Sequence, residues 1–385
     1  MDFQLDKKHT MAQSLFKDFA EKEVKPLAID TDETEEFPRV TVDKMAKNGF
    51  LGIAIPEQYG GQGCDPLTYV MCVEELAKVC GTTSVIVSAH SSLCCDPILH
   101  YGTEEQKQKY LVPLAKGEKL GAFGLTEPGA GTDAQGVQTK AVLSEDGKEW
   151  ILNGSKCFIT NGKEADVYII IAYTDVVETK RGKQKKFTAF IVEKGTEGFT
   201  FGTKEHKMGI RGSATYELIF QDCHIPAENQ LGPRGKGFPI AMGTLDGGRI
   251  GIAAQALGIA QGAIDEAVAY VKQRKQFGRP IAKFQNTQFQ LADMQTKTDA
   301  ARWLVYSAAT AKQEGRPYTQ LAAEAKLFAA ETAMEITTKA IQLLGGYGYT
   351  RDLPVERMFR DAKITEIYEG TSEVQRMVIS GAMLK

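Results

Sequence analysis

Val167-Tyr-Ile-Ile-Ile-Ala-Tyr173 sets seven β-branched, aromatic or apolar residues in a row, with Asn161, Gly162, Lys163 and Asp166 before it and Asp175 after it. That composition favours a buried strand over a helix. Phe187 to Glu193 and Thr215 to Gln221 repeat the pattern, again between Gly, Asn, Asp and Lys clusters. Helical periodicity is absent from about Gly121 to Pro233, and the spacing of the runs predicts a compact antiparallel barrel or sandwich there.

On both sides of this region the chain reads as helical. Up to about residue 118 the pattern is broken at Pro26, Pro38, Pro56 and the Gly60-Gly61-Gln62-Gly63 loop. Amphipathic helices are predicted around residues 66 to 80 and 103 to 115, the second opened by a capping box of Thr103 with Gln106. The glycines at 60, 61 and 63 do not lie between a strand and a helix, so they read as a turn. After Gly237 three apolar stripes step by threes and fours: Ile252, Ala256, Ile259, Ala263, Ala267, Val271; then Leu291, Met294, Thr298, Ala301, Val305, Ala308; then Leu327, Ala330, Met334, Thr337, Ile341, Leu344. Short turns at Phe277 to Pro280 and Glu314 to Pro317 make these long helices an antiparallel bundle. The expected architecture is mainly α with a central β domain: a helical domain over 1–120, a β domain over 121–233 and a helical bundle over 234–385.

A chain of 385 residues with 43% hydrophobic and 25% charged content is expected to form two or three globular domains. The net charge of -3 gives no electrostatic reason for nucleic acid or an acidic membrane as a partner. No apolar run of about 18 residues is present, so no membrane insertion is expected. Met1-Asp-Phe-Gln-Leu-Asp6 resembles neither a secretory signal nor a transit peptide, which suggests a cytoplasmic, bacterial location. The seven cysteines form no Cys-x-x-Cys pair and read as reduced packing residues. The five histidines lack metal-ligand spacing, so no metal is expected.

The chemistry is concentrated in Ile367-Tyr-Glu-Gly-Thr-Ser-Glu373. A carboxylate at Glu369 beside Ile367 and Tyr368 should be partly desolvated, which raises its pKa toward that of a general base. Gly370 lets a ligand approach the backbone. The plainer reading is a turn at Glu369 with Thr371 or Ser372 opening the last helix. A second cluster, Phe123-Gly-Leu-Thr-Glu-Pro-Gly-Ala-Gly-Thr-Asp133, suits a backbone wrapped around a flat ligand with polar edges. The dinucleotide, P-loop and Gly-x-Ser-x-Gly signatures are missing.

Phe123 to Asp133, Phe158-Ile-Thr-Asn-Gly162, Arg274-Lys-Gln-Phe-Gly278, Gln342-Leu-Leu-Gly-Gly-Tyr-Gly348, and Arg360-Asp-Ala-Lys-Ile364 running into Ile367 to Thr371 together resemble the acyl-CoA dehydrogenases, in that family's order and over nearly the whole chain. The resemblance implies that family's fold, with a helical N-terminal domain, a middle β-barrel and a C-terminal four-helix bundle. It also implies FAD as cofactor and the removal of an α proton and a β hydride from an acyl-CoA thioester. Glu369 matches the family's base. Its backbone N–H, with a flavin hydroxyl, matches the donors to the enolate oxygen.

Flavin contacts carried over by position are Phe123, Leu125, Thr126 and Thr132, with Phe158 and Thr160 from the β domain and Thr371 and Glu373 after the base. Arg274, Gln276, Phe277, Gln285, Gln342, Leu343, Gly345 and Gly346 match segments that reach the flavin of a neighbouring subunit, which implies a homo-oligomer, usually a tetramer. Substrate-side positions are Thr132, Asp246, Arg249 and Gly370, although Asp246 and Arg249 are three apart on a helix and can simply pair. Solvated chain ends and a helix cap are the plainer readings of Arg274 and of Gly345 and Gly346.

Branches acting on branched or long acyl chains place the base one residue before the helix arginine, where this chain has Gly248. Leu245-Asp-Gly-Gly-Arg-Ile-Gly251 is most similar to the bacterial short-chain, butyryl-CoA dehydrogenase group, whose partner is an electron-transfer flavoprotein. Medium-chain and glutaryl-type dehydrogenases are the alternatives within the family; an acyl-CoA oxidase is usually longer. The glutaryl type needs a cation in the acyl pocket, for which His90 and His100 are the nearby residues. A flavin-binding relative without turnover is the non-enzymatic alternative, disfavoured by an intact Glu369.

Overall fold

The computed structural model describes residues 4–179 and 182–384. The first three residues of the stretch read for a targeting signal, and the outermost ends of the first and third domains, lie outside the described residues.

Helices of the N-terminal part include α1 (Lys7–Phe19), α2 (Arg39–Lys47), α3 (Pro66–Ala77) and α4 (Gly81–Ser88). Asp65 starts α3 by accepting the Thr68 N–H at 2.7 Å, with Pro66 at the first helical position, where no N–H is needed. The expectation of an amphipathic α3 is corrected: its residues from Thr68 to Ala77 are all buried. The helix is wedged between α1 and the long C-terminal helices, which leaves it no solvent face. Thr103 and Gln106 form the expected capping box, and the chain is helical from Glu104 to Ala115 with a wide turn at Lys107–Leu111.

Eight strands follow: β1 (Gly121–Gly124), β2 (Lys140–Leu143), β3 (Glu149–Ile159), β4 (Val167–Thr179), β5 (Gly182–Glu193), β6 (Phe199–Lys204), β7 (Tyr216–Pro226) and β8 (Gln230–Leu231). They form one sheet in the order β6-β7-β3-β2-β4-β5-β8, with β1 on β4. Alternate residues of β4 enter two cores, which explains its unbroken apolar run. Val167, Ile169 and Ile171 pack with Cys94, Tyr110 and Leu114 of the helical part, and Tyr168, Ile170 and Ala172 pack with Trp150, Phe190 and Phe220 inside the sheet. The sheet is mainly antiparallel, but β1 pairs parallel with β4 and β2 touches β4 in parallel at Lys140 and Tyr173. Parallel neighbours need a long connection, and the chain enters the sheet at β1 well before it returns as β4.

The C-terminal part holds α5 (Gly237–Gln273), α6 (Gln285–Gln313) and α7 (Thr319–Leu344), then α8 (Val355–Ile364) and α9 (Ser372–Met383). The turn expected at Phe277 to Pro280 is the tip of a two-stranded hairpin, with Phe277 and Gly278 both at positive φ. The first stripe is buried throughout and the second nearly so. The third is half borne out: Ala330, Thr337 and Leu344 are buried while Leu327, Met334 and Ile341 are only half-buried, and the buried face of α7 also takes in Ala322, Ala325, Ala329, Ala333, Ile336 and Ala340. Small side chains there let α7 lie close against α5. A single hydrophobic core runs through both helical parts, joining Phe16, Phe50, Met71 and Leu76 to Leu257, Met294, Val305 and Ile336. No helix among the described residues is long and apolar enough to cross a membrane.

Candidate active site

Glu369 lies in the turn between α8 and α9. The turn begins with the Tyr368 N–H donating to the Ile364 carbonyl at 3.1 Å and closes with the Ser372 N–H donating to the Glu366 carbonyl at 2.9 Å. Thr371 caps α9, its hydroxyl accepting the Val374 N–H at 3.4 Å. The turn-and-cap reading therefore describes the backbone, but two features go beyond it.

First, Glu369 is left-handed, with φ at 53°, and Gly370 follows at 92°. A non-glycine residue in this region costs on the order of 1 kcal/mol and persists only where its surroundings fix it. Here the fixing groups are Gln375 Nε2, which donates to the carbonyls of Glu369 at 3.3 Å and Gly370 at 2.7 Å, and Lys326 Nζ, which donates to the Gly370 carbonyl at 2.7 Å.

Second, the carboxylate is shielded from water, though not by Ile367. Ile367 is 48% exposed. The shield is α5: a Cβ built on Gly248 would overlap Glu369 Oε2 and crowd Leu93. Oε2 is buried and has no hydrogen-bond partner among the described residues. Burial raises the Glu369 pKa to about 7, against the opposing pull of Lys326 and Arg249.

Arg249 and Asp246 pair, with Nη1 donating to Oδ1 at 2.5 Å, and Thr319 donates to the other Asp246 oxygen at 2.7 Å. The plainer reading of these two residues is thus realised, on the same turn of α5 as Gly248. One turn further along α5, a Cβ on Gly251 would meet the hydroxyls of Ser88 and Tyr69; another turn on, the Tyr368 hydroxyl donates to Gln255. His90 is fully buried, its Nδ1 accepting the Gly121 N–H at 3.0 Å, and burial drives its pKa down to about 4. His100 is exposed. Neither is a cation facing Glu369.

Phe123 ends in β1, and the loop after it carries Leu125 and Thr126 to the edge of β3, where the Cys157 N–H donates to the Thr126 carbonyl at 2.9 Å. This brings Thr126 beside Phe158, which is left-handed and 63% exposed, with Thr160 two residues on. The loop is held from behind. Lys156 Nζ, fully buried, donates to Glu127 Oε1 at 2.7 Å and to the Leu125 carbonyl at 3.0 Å. Burial pulls the Lys156 ammonium down to about 8; burial also opposes the Glu127 charge, but Lys156 outweighs it and holds that carboxyl below its usual range. An open, exposed aromatic beside an anchored loop of backbone polar groups suits a flat ring with polar edges. Thr132 is exposed on the far side of the loop, Thr371 and Gly370 lie in the base turn, and Glu373 is exposed in the first turn of α9.

Arg274, Gln276, Leu343, Gly345 and Gly346 line a separate cavity of about 690 Å³ with Tyr270, Tyr347 and Asp352. A Cβ on Gly345 or Gly346 would meet nothing, so both glycines face open space. Phe277 is 94% exposed at the hairpin tip, and Gln285 and Gln342 are exposed at helix ends. The lining includes no residue of the Phe123 to Thr132 loop or of Phe158 to Thr160. The two groups of residues thus lie in separate places on one chain.

Sequence reasoning passed over Lys326, Gln375, Lys156 and Glu127. A lysine in an alanine-rich helix reads as solvated, and a glutamine in the last helix carries no signal. Lys156, one residue from the Cys157 to Ile159 apolar run and opposite Glu127, was the traceable one.

Family models for the acyl-CoA dehydrogenase N-terminal, middle and C-terminal domains match residues 6–118, 122–223 and 235–384. The chain is 60% identical, over the full length of both, to the short-chain-specific acyl-CoA dehydrogenase of Clostridium acetobutylicum. The solved butyryl-CoA dehydrogenase of Megasphaera elsdenii superposes with a TM-score of 0.96 at 54% identity, covering all of both chains. A chain from a structure reported for the electron transferring flavoprotein of Acidaminococcus fermentans also gives 0.96, at 56% identity and full coverage of both. An acyl-CoA dehydrogenase from Bacillus anthracis solved with FAD gives 0.93 at 36% identity, covering 99% of this chain and 67% of that one.

Proposed function

The chain belongs to the acyl-CoA dehydrogenase family, and from that premise we propose that it is a FAD-dependent oxidoreductase interconverting a short-chain acyl-CoA, butyryl-CoA first, and its trans-2-enoyl-CoA. The observation that carries the reading is the Glu369 carboxylate: shielded by Gly248, unpartnered at Oε2 and poised at about 7.

An α proton beside a thioester is too weakly acidic for a free carboxylate, so the site must both tune the base and stabilise the enolate oxygen. Glu369 takes the α proton on its carboxylate, and its backbone N–H, turned by the left-handed φ, donates to the thioester oxygen. Bound FAD supplies an acceptor for the β hydrogen as hydride. Leu125, Thr126, Phe158 and Thr160 hold its ring, with Phe123 and Thr132 at the edges of the loop and Thr371 and Glu373 on the side of the base turn. Arg274, Gln276, Phe277, Gln285, Gln342, Leu343, Gly345 and Gly346 would hold the FAD of a second subunit, so the working form would be a homo-oligomer, with a tetramer as the first expectation. Arg249, held by Asp246, keeps a positive charge near the thioester end, and Gly370 and Thr132 leave room for the pantetheine.

A short acyl chain fits because the face of α5 beyond Gly248 is filled within two turns, about 10 Å, by Ser88, Tyr69 and the Gln255 and Tyr368 pair. A glutaryl substrate finds no cation at His90. Electrons are exchanged with an electron-transfer flavoprotein, a pairing supported by the likeness to the Acidaminococcus structure.

Anaerobic titration of the FAD-loaded protein tests the reading. Butyryl-CoA should bleach the flavin absorbance more than octanoyl-CoA or glutaryl-CoA at equal concentration. Indifference to every acyl-CoA overturns the activity, and a preference for octanoyl-CoA moves the protein to the medium-chain branch.

A further inference from the structure

Lys326 sits on the alanine face of α7 between Ala325 and Ala329 and is fully buried. Taking an ammonium out of water is costly unless something in the interior compensates it. Its hydrogen bond is to a neutral group, the Gly370 carbonyl at 2.7 Å. The charges around it are Glu369, Glu366 and Glu373, with Arg249 opposing, and Glu369 is foremost among them.

Seen from Glu369, two cations face the carboxylate: Lys326 from α7 and Arg249 from α5. The hydroxyls of Tyr69 and Tyr368 are the neighbouring titratable groups. Arg249 is already tied to Asp246 at 2.5 Å, so part of its field is spent on that carboxylate. Lys326 makes no such ion pair among the described residues: Glu366 and Glu373 also act on its charge, but behind Glu369. The Gly370 carbonyl, for its part, already has a neutral donor in Gln375 at 2.7 Å. A second neutral donor would have served the backbone as well as a lysine does.

We propose that Lys326 is a positioning residue for Glu369: its ammonium locks the Gly370 carbonyl, and with it the left-handed turn, while its charge favours the ionised form of a buried base. The assignment rests on the reading of Glu369 as the base. It gives each of two buried donors a different duty. Gln375 holds the turn, and Lys326 holds the turn and the charge state.

The test is the pH dependence of α-hydrogen exchange into butyryl-CoA, followed by mass in deuterated water with the FAD-loaded protein. Lys326→Met and Lys326→Gln remove the charge, and the second keeps a donor for Gly370; Lys326→Arg keeps the charge; Gln375→Leu removes a neutral donor. Met and Gln should both move the acidic limb of the profile upward by roughly one pH unit, the low end of the about 1 to 3 by which a nearby opposite charge lowers a carboxylate pKa. Arg should leave the limb where it was, and Gln375→Leu should slow exchange without moving it. If Lys326→Met does not fold, the Gln and Arg pair reads the same quantity. Coincident limbs for Gln and Arg overturn the proposal. Glu369→Gln is the control: full exchange in that variant overturns the base assignment itself, whereas its loss together with an unmoved limb in Lys326→Gln overturns the role of Lys326 alone.

Discussion

Lys156 on β3 and Glu127 on the loop after β1 form an ion pair at 2.7 Å with both side chains buried, and Glu127 also accepts the backbone N–H groups of Gln138 and Thr139 at 2.6 and 2.9 Å. Three segments of the β domain thus meet at one carboxylate, directly behind the loop proposed to hold FAD. Removing one partner leaves a buried charge uncompensated, at about 3 to 5 kcal/mol. Lys156→Met should therefore lose stability of that order in urea unfolding and bind FAD at least tenfold more weakly by fluorescence titration. Glu127→Gln combined with Lys156→Met should recover part of the stability. A single variant as stable as the parent contradicts the pair's role.

Gly248→Ala separates stability from activity. An alanine in a helix interior normally gains about 0.5 to 1 kcal/mol over glycine. Here its Cβ would claim the space of Glu369 Oε2. The melting temperature should change little, while turnover of butyryl-CoA falls by at least tenfold. Unchanged turnover means the carboxylate does not work from the position the structure gives it.

Glu369→Gln should keep FAD and bind acyl-CoA but lose a factor of about 10² to 10⁴ in flavin reduction, the contribution of a general base. In the parent, activity should rise with pH through about 7, as the carboxylate ionises. The stability effect has the opposite sign. A carboxyl whose folded pKa lies above its unfolded value of 4.5 holds its proton longer in the fold, so stability falls as pH rises from there to about 7. Glu369→Gln removes that loss. Its melting temperature should exceed the parent's at pH 8 and approach it under acidic conditions; a variant less stable at both contradicts a buried ionised base.

Flavin retention should follow assembly. In the proposed shared site, Thr126 and Phe158 of one subunit and Arg274, Gly345 and the exposed Phe277 of another hold the cofactor together. On size-exclusion chromatography under dissociating conditions, flavin absorbance should leave the protein as the monomer appears. A monomer replete with FAD rules out a shared site.

The sequence made the three-part architecture legible because both patterns it depends on are long. Val167 to Tyr173 could only be a buried strand, and Ile252 to Val271 could only be one helix face. What escaped was set by pairing across the chain. The stripe from Leu327 to Leu344 caught Ala330, Thr337 and Leu344 on the buried side of α7 but missed most of that face, because it is alanine, which carries weak periodicity, and a lysine on it reads as solvent-facing. Glu369 was found as a carboxylate before a glycine, and its raised pKa was assigned to Ile367 and Tyr368; Ile367 turns out to be exposed, and α5 closes over the carboxylate at Gly248, more than a hundred residues away in sequence. The parallel β1 and β4 pair was invisible for the same reason: four residues, Gly121 to Gly124, carry too little pattern to reveal their neighbour.

The contact between Gly248 and Glu369 also constrains descent. The family resemblance places the base of other branches at the residue matching Gly248, and in this backbone the two positions share one volume. A carboxylate cannot occupy both. Moving the base from the turn to the helix in this backbone therefore means vacating one address before filling the other, or replacing both at once. Once the glycine is installed, the choice of branch is hard to reverse one substitution at a time.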